Sequence, residues 1–140
     1  EKMHTALLEK CPADLAAHGM DVRPYIYDMP LVMDAADLVL CRAGASTLSE
    51  LTALGVPAIL VPSPNVTDNH QEKNARVLEK NGAAVVIREN ECDGDSLYEA
   101  AKQLLSDRER CRAMRSAAAN LAVVDAAERI YQTALELSRH

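Results

Sequence analysis

A chain of 140 residues suits one domain and can bury an ordinary core. Apolar residues make up 49% of it, with no Trp, no Phe and four Tyr, so that core must be built from Ala, Val, Leu, Ile and Met. The formal charge of -6, with no basic stripe, argues against nucleic acid as a partner.

Residues 3–17, rich in Ala, Leu, Lys and Glu, read as a helix interrupted by Pro12. A short strand is expected over 21–26, with Pro24 arguing against a fully paired central position. A short helix over 30–36 leads into a strand over 37–41, a helix over 46–54 stopped by Gly55, and a strand over 57–61 opened by Pro57. Residues 62–67 form a loop, Asp68 caps a helix running to about Lys80, Asn81-Gly82 ends it, and 83–87 is another strand. After Arg88 the alternation stops. Leu97, Ala101 and Leu104 mark one helix, and Met114, Ala118 and Leu121 a second from about Asp107. A last helix from near Asp125 is expected to bury Ala127, Ile130, Ala134 and Leu137.

The alternation of strand and helix gives an α/β fold with a Rossmann-like parallel sheet and flanking helices. Cys11, Cys41, Cys92 and Cys111 make no C-x-x-C pair and read as reduced thiols of a cytoplasmic protein. His4, His18, His70 and His140 are equally scattered, so no metal site and no cofactor are expected. The longest apolar runs, 56–62 and 83–87, fall far short of the roughly 20 residues of a membrane span. No signal peptide is visible, and a first residue of Glu1 points to a processed or excised chain.

The stretch Arg42-Ala-Gly-Ala-Ser-Thr-Leu-Ser-Glu50 carries the chemistry. A helix starting at the carboxyl edge of a parallel strand points free N–H groups and the positive end of its dipole into the crevice there, where phosphates bind. Gly44 and the alanines admit close approach, and Ser46 and Thr47 add hydroxyl donors or cap the helix. Glu50, one turn on, suits the two vicinal hydroxyls of a ribose. Thr47-Leu-Ser-Glu50 equally fits a capping box, with Glu50 tied to the backbone. Arg42 either neutralises phosphate or pairs with a nearby carboxylate such as Asp37, the latter being the favoured reading.

Together with Gly55-Val-Pro-Ala-Ile-Leu-Val-Pro62 and Asp68-Asn-His-Gln-Glu-Lys-Asn-Ala75, this stretch resembles the donor-binding half of the MurG family. The family comprises bacterial GT-B enzymes that move N-acetylglucosamine from UDP onto lipid I to make lipid II in peptidoglycan synthesis, the pathway behind cell shape and division. The resemblance runs from about Val22 to the C-terminus.

It implies that the Ile26 main chain reads the uracil edge, with Tyr25 and Met29 shaping the pocket. Ala45, Ser46 and Thr47 then hold the diphosphate beside Arg42, Glu50 holds the ribose, and His70 and Gln71 meet the sugar. His70 stands where the family commonly has Gln. Asp68-x-x-Gln71 also has capping-box spacing.

The resemblance further implies that residues 1–140 are a C-terminal donor domain truncated at its start. The acceptor domain and the catalytic base then lie elsewhere, the chain alone is inactive, and exposed sheet edge favours self-association. The partners implied are UDP-N-acetylglucosamine and, through the missing domain, a lipid-linked acceptor at the cytoplasmic face of the bacterial membrane. Two alternatives stay open: the donor subunit of a two-chain dolichol-linked N-acetylglucosaminyltransferase, and a non-catalytic nucleotide-binding module.

Overall fold

The computed structural model describes residues 17 and 19–138, so the helix expected over 3–17 lies outside the described residues apart from residue 17. The chain divides between Leu31 and Val32 into two compact units.

In the first unit the strand expected over 21–26 does not form. Contacts between residues two apart replace a ladder: Arg23 Nε and Nη2 donate to Asp21 Oδ2 at 2.8 and 2.5 Å, and the Tyr25 and Tyr27 rings meet edge to face at 4.8 Å. Such contacts suit an extended chain, but a strand also needs a neighbour, and Pro24 has no N–H to offer one. Helix α1, Met29–Asp34, straddles the division.

The second unit is built on three parallel strands, β1 (Val39–Cys41), β2 (Ala58–Leu60) and β3 (Ala84–Val86), in the order β1-β2-β3. Val39 pairs with Ala58, which pairs with Ala84. Helices α2 (Ala45–Leu54) and α3 (His70–Lys80) make the two crossovers that parallel neighbours require. The strands are shorter than the apolar runs that announced them, but single bonds extend the pairing: Val39 N–H to Pro57 O at 3.0 Å, Val61 N–H to Cys41 O at 2.9 Å and Ile87 N–H to Leu60 O at 3.0 Å.

Side chains alternate across β2, as a strand's period of two demands. Ala58 and Leu60 join Leu48, Leu51, Ala75 and Leu78 on the face covered by α2 and α3. Ile59 turns to the other face, against Leu104 of α4 (Gly94–Ser106) and Met114 of α5 (Arg108–Asn120). Each of the buried Leu, Ile and Met side chains among these contributes about 1.5–3 kcal/mol over its exposed state. α4 opens on a capping box in which the Asp93 carboxylate accepts from the Ser96 N–H at 2.8 Å. Those hydrogen bonds from Ser96 hold the Asp93 carboxyl below its usual range.

Gly55 ends α2 as expected. Its φ of 63° is left-handed, which favours glycine, and its N–H bonds back to Thr52 O at 3.2 Å. The last helix, α6 (Ala126–Ser138), corrects an expectation: it has no buried residue, and Ala127, Ile130, Ala134 and Leu137 are all exposed, Ile130 by 70%. An apolar stripe is buried only where another element lies against it, and none of the described elements does so here.

Candidate functional site

Cys41 ends β1, and Arg42-Ala43-Gly44 turns the chain into α2 at the carboxyl edge of the sheet. The N-cap is Gly44, in extended conformation, with no side chain bonded to the helix start. This corrects the expectation that Ser46 or Thr47 caps it: the cap falls two or three residues before these polar residues, leaving both inside the first turn. The first intrahelical bond is Leu48 N–H to Gly44 O at 3.0 Å, so the N–H groups of Ala45, Ser46 and Thr47 have no partner within the helix. A Cβ built on Gly44 would find nothing nearer than Thr47 Oγ1 at 4.0 Å, so space around this turn is open. Three N–H groups without a described partner, a dipole end and two hydroxyls are the kind of groups that bind an anion.

Glu50 lies four residues beyond Ser46 and three beyond Thr47, which puts all three on one face of α2. Its side chain is exposed and makes no hydrogen bond or ion pair with any described residue, and the capping box with Thr47 is not formed. The carboxylate is therefore available to a ligand.

Arg42 pairs with a carboxylate, but the partner is Glu89 and not Asp37. Nη1 and Nη2 grip both carboxylate oxygens of Glu89, and Nη1 also donates to Val61 O at 3.1 Å. Glu89 opens a short 3-10 turn, Glu89–Glu91, just after β3. Arg42 thus ties together the ends of all three strands. Cys41 is shielded enough that burial pushes its thiol up to about 11, which keeps it protonated and unreactive at neutral pH.

The loop after β2 ends in a 3-10 turn, Thr67–Asn69, and α3 starts only at His70. Asp68 (φ 54°) and Asn69 (φ 50°) are both left-handed, a conformation these two residue types tolerate better than most. The kink separates Asp68 from α3, so the expected cap and its Asp68–Gln71 box do not form, and the Asp68 carboxylate instead pairs with Lys73 at 2.8 Å. His70 Nδ1–H donates to Thr67 O at 2.8 Å, which leaves Nε2 as the free ring atom. Gln71 Oε1 accepts from Ser63 N–H at 2.9 Å, so its acceptor half is engaged and its amide N–H donors remain for a ligand.

Between this loop and the turn after β3 lies a cleft of about 230 Å³, lined by Pro62, Pro64, Asn69, Glu72, Arg88, Glu89 and Asn90. Glu72 accepts from Asn69 Nδ2 at 2.9 Å and from Arg88 Nε at 3.1 Å. These bonds, that from Asn69 first, hold its carboxyl below the usual range. The sequence reading missed Glu72, Arg88 and Glu89. A charged cluster just past the carboxyl end of a parallel strand was the available signal.

Arg42, Ala45, Ser46, Thr47, Glu50, His70 and Gln71 all fall in the second unit, on the segments that follow β1 and β2. Tyr25, Ile26 and Met29 fall in the first. There Tyr25 and Met29 are exposed, and Ile26 is half-buried.

Residues 4–130 match the model of the glycosyltransferase family 28 C-terminal domain. The chain belongs to this family. Among its relatives, the UDP-N-acetylglucosamine--N-acetylmuramyl-(pentapeptide) pyrophosphoryl-undecaprenol N-acetylglucosamine transferase of Acetivibrio thermocellus is 46% identical over 140 residues, all of this chain and 38% of that protein. The enzyme of the same name from Bacillus licheniformis is 48% identical over 136 residues, 97% of this chain and 36% of that protein. The chain thus spans little more than a third of the length of the curated relatives it matches.

The crystal structure of Acinetobacter baumannii MurG superposes with a TM-score of 0.74 at 33% identity, over 81% of this chain and 32% of that one. The glycosyltransferase VinC, solved with dTDP, shares the fold at a TM-score of 0.57 and 18% identity, over 76% of this chain and 26% of its own. Three parallel strands with flanking helices are here the C-terminal domain fold of a GT-B glycosyltransferase, as the Rossmann-like reading of the sequence expected.

Proposed function

We propose that residues 1–140 form a partial donor-binding domain of a transferase that moves N-acetylglucosamine from UDP-N-acetylglucosamine onto a lipid-linked acceptor, making lipid II from lipid I in peptidoglycan synthesis. The observation that carries this reading is the start of α2, where uncapped N–H groups, Ser46 and Thr47 share a face with the unpartnered Glu50. A nucleoside diphosphate needs both kinds of group. The relatives named for this transfer support the choice of sugar and acceptor.

In this reading the helix N–H groups and hydroxyls stabilise the charge that builds on UDP as it departs, and transfer inverts the anomeric centre without a covalent intermediate. Ala45, Ser46 and Thr47 hold the diphosphate, Glu50 the ribose, and His70 Nε2 with the Gln71 amide the sugar. For the first unit the proposed role is recognition of uracil by the Ile26 main chain, with Tyr25 and Met29 as its walls. The transferase would work as a peripheral protein at the cytoplasmic face of the bacterial membrane. No described helix is long and apolar enough to cross one.

Calorimetric titration of the chain with UDP, UDP-N-acetylglucosamine and UDP-glucose tests the proposal. UDP-N-acetylglucosamine should bind best, and failure of all three would end it. The base that activates the acceptor is assigned outside these residues, because His70 sits among the groups proposed for the donor sugar. The purified chain should therefore give no transfer to a lipid I analogue, and measurable turnover would overturn that assignment.

Self-association is also proposed, on a separate observation. Among the described residues β1 has a neighbouring strand on one side only, and Leu40 at its centre is 52% exposed, where a parallel strand is normally covered on both faces. Sedimentation velocity should show the chain gaining mass with concentration. A concentration-independent monomer would tell against it.

A further inference from the structure

We propose that Glu89 is a positioning residue of the diphosphate site: it holds the end of the Arg42 guanidinium and so fixes the free side edge for two phosphate oxygens. This rests on reading the start of α2 as the place where the diphosphate binds.

A guanidinium carries five N–H donors in a rigid fork. Both hydrogens of Arg42 Nη1 are engaged, one by Val61 O at 3.1 Å and one by Glu89 Oε2, and one hydrogen of Nη2 goes to Glu89 Oε1 at 2.9 Å. The side edge, made of Nε–H and the remaining Nη2–H, has no partner among the described residues. That pair of parallel donors matches two oxygens of a phosphate. Arg42 stands two residues before the N-cap Gly44, on the turn that leads to the free N–H groups.

Glu89 is well placed to hold it. The 3-10 turn is closed by Glu91 N–H to Arg88 O at 2.9 Å and Cys92 N–H to Glu89 O at 3.3 Å. The preceding Arg88 is bonded through Nε to Glu72, which also accepts from Asn69 at the head of α3. One chain of contacts thus runs from the turn after β1, through the turn after β3, to the segment that presents His70 and Gln71. Arg42 and Glu89 are both about half exposed, and such a pair adds little to stability, so its main consequence is orientation.

The alternative is that Glu89 only places a negative charge near the site. The two readings differ in sign: removing a repelling carboxylate should tighten anion binding, whereas releasing Arg42 to swing should weaken it. Calorimetric titration of the chain with UDP and with uridine, which lacks the diphosphate, separates them.

Glu89→Ala should weaken UDP by about five-fold or more, the scale of one charge-assisted contact, and leave uridine unchanged. Glu89→Gln, which keeps one carbonyl acceptor, should retain part of the affinity. In an Arg42→Ala background, Glu89→Ala should no longer weaken UDP binding. Unchanged or tighter UDP binding in Glu89→Ala would overturn the proposal. So would an equal loss on uridine with a lowered melting temperature, which would make Glu89 a fold residue only. If the unaltered chain binds UDP no better than uridine, the diphosphate reading of α2 itself fails, an outcome visible before any variant is made.

Discussion

Glu50→Ala should weaken UDP binding by roughly ten- to a hundred-fold while leaving the melting temperature of the chain unchanged. The exposed carboxylate makes no hydrogen bond or ion pair with any described residue, so its removal breaks none in the folded protein. Ala is at least as good a helix former as Glu at an exposed position. What disappears is a charged acceptor for two ribose hydroxyls. Hydrogen bonds to a charged group contribute about 1.5–3 kcal/mol each when shielded, and on this exposed face we expect that range for the pair together. 2′-Deoxy-UDP, which offers one hydroxyl fewer, should suffer less from the substitution. Calorimetry with both nucleotides and a thermal melt decide it: equal losses for the two, or a falling melting temperature, would return Glu50 to a structural role.

That prediction depends on a point the sequence left open. Thr47-Leu-Ser-Glu50 reads equally as a ligand site and as a capping box, because both need an oxygen acceptor near free N–H groups. The backbone decides between them. Gly44 leaves β1 in an extended conformation and becomes the N-cap, so Thr47 stands at the third helical position, where its side chain cannot serve as the cap. A shift of a residue or two at a helix boundary is the least legible quantity in a sequence, and here the proposed ligand site depends on it.

Elements whose order follows from local pattern were readable: the β-α-β alternation from 39 to 86, the stop at Gly55 and the stripes through Leu104 and Met114. Features that need a partner were not. The segment at 21–26 has strand-like composition but forms no strand among the described residues, and the stripe of α6 has helical period but nothing described against it. The Arg42–Glu89 pair joins residues 47 apart in the chain, a separation no periodicity encodes. Asp68 and Asn69 illustrate the same limit at short range. Their capping spacing is real, but the loop brings the chain in through two left-handed residues, and the cap is lost.

The absence of a cap at the start of α2 leads to a second large effect, with opposite signs on stability and on binding. Gly44→Asp should make the chain slightly more stable and nearly abolish UDP binding. The N-cap conformation at Gly44, φ -69° and ψ 143°, is one that any residue adopts, and the position has room for a Cβ. An Asp there can accept from the N–H groups of Ser46 or Thr47 and oppose the helix dipole. The gain over Gly is a few tenths of a kcal/mol from capping, with up to about 1 kcal/mol more from the charge. The same carboxylate would occupy the place proposed for the diphosphate and repel it: two unit charges about 4 Å apart near a protein surface interact by about 4 kcal/mol. Even half of that repulsion corresponds to a loss of more than ten-fold in affinity, before the blocked N–H groups are counted. Gly44→Asn supplies the cap without the charge and should fall between the two. A melting temperature that rises in both variants, with UDP affinity falling furthest in Gly44→Asp, is the expected pattern. A chain in which Gly44→Asp binds UDP as well as the unaltered protein would show that the diphosphate lies elsewhere.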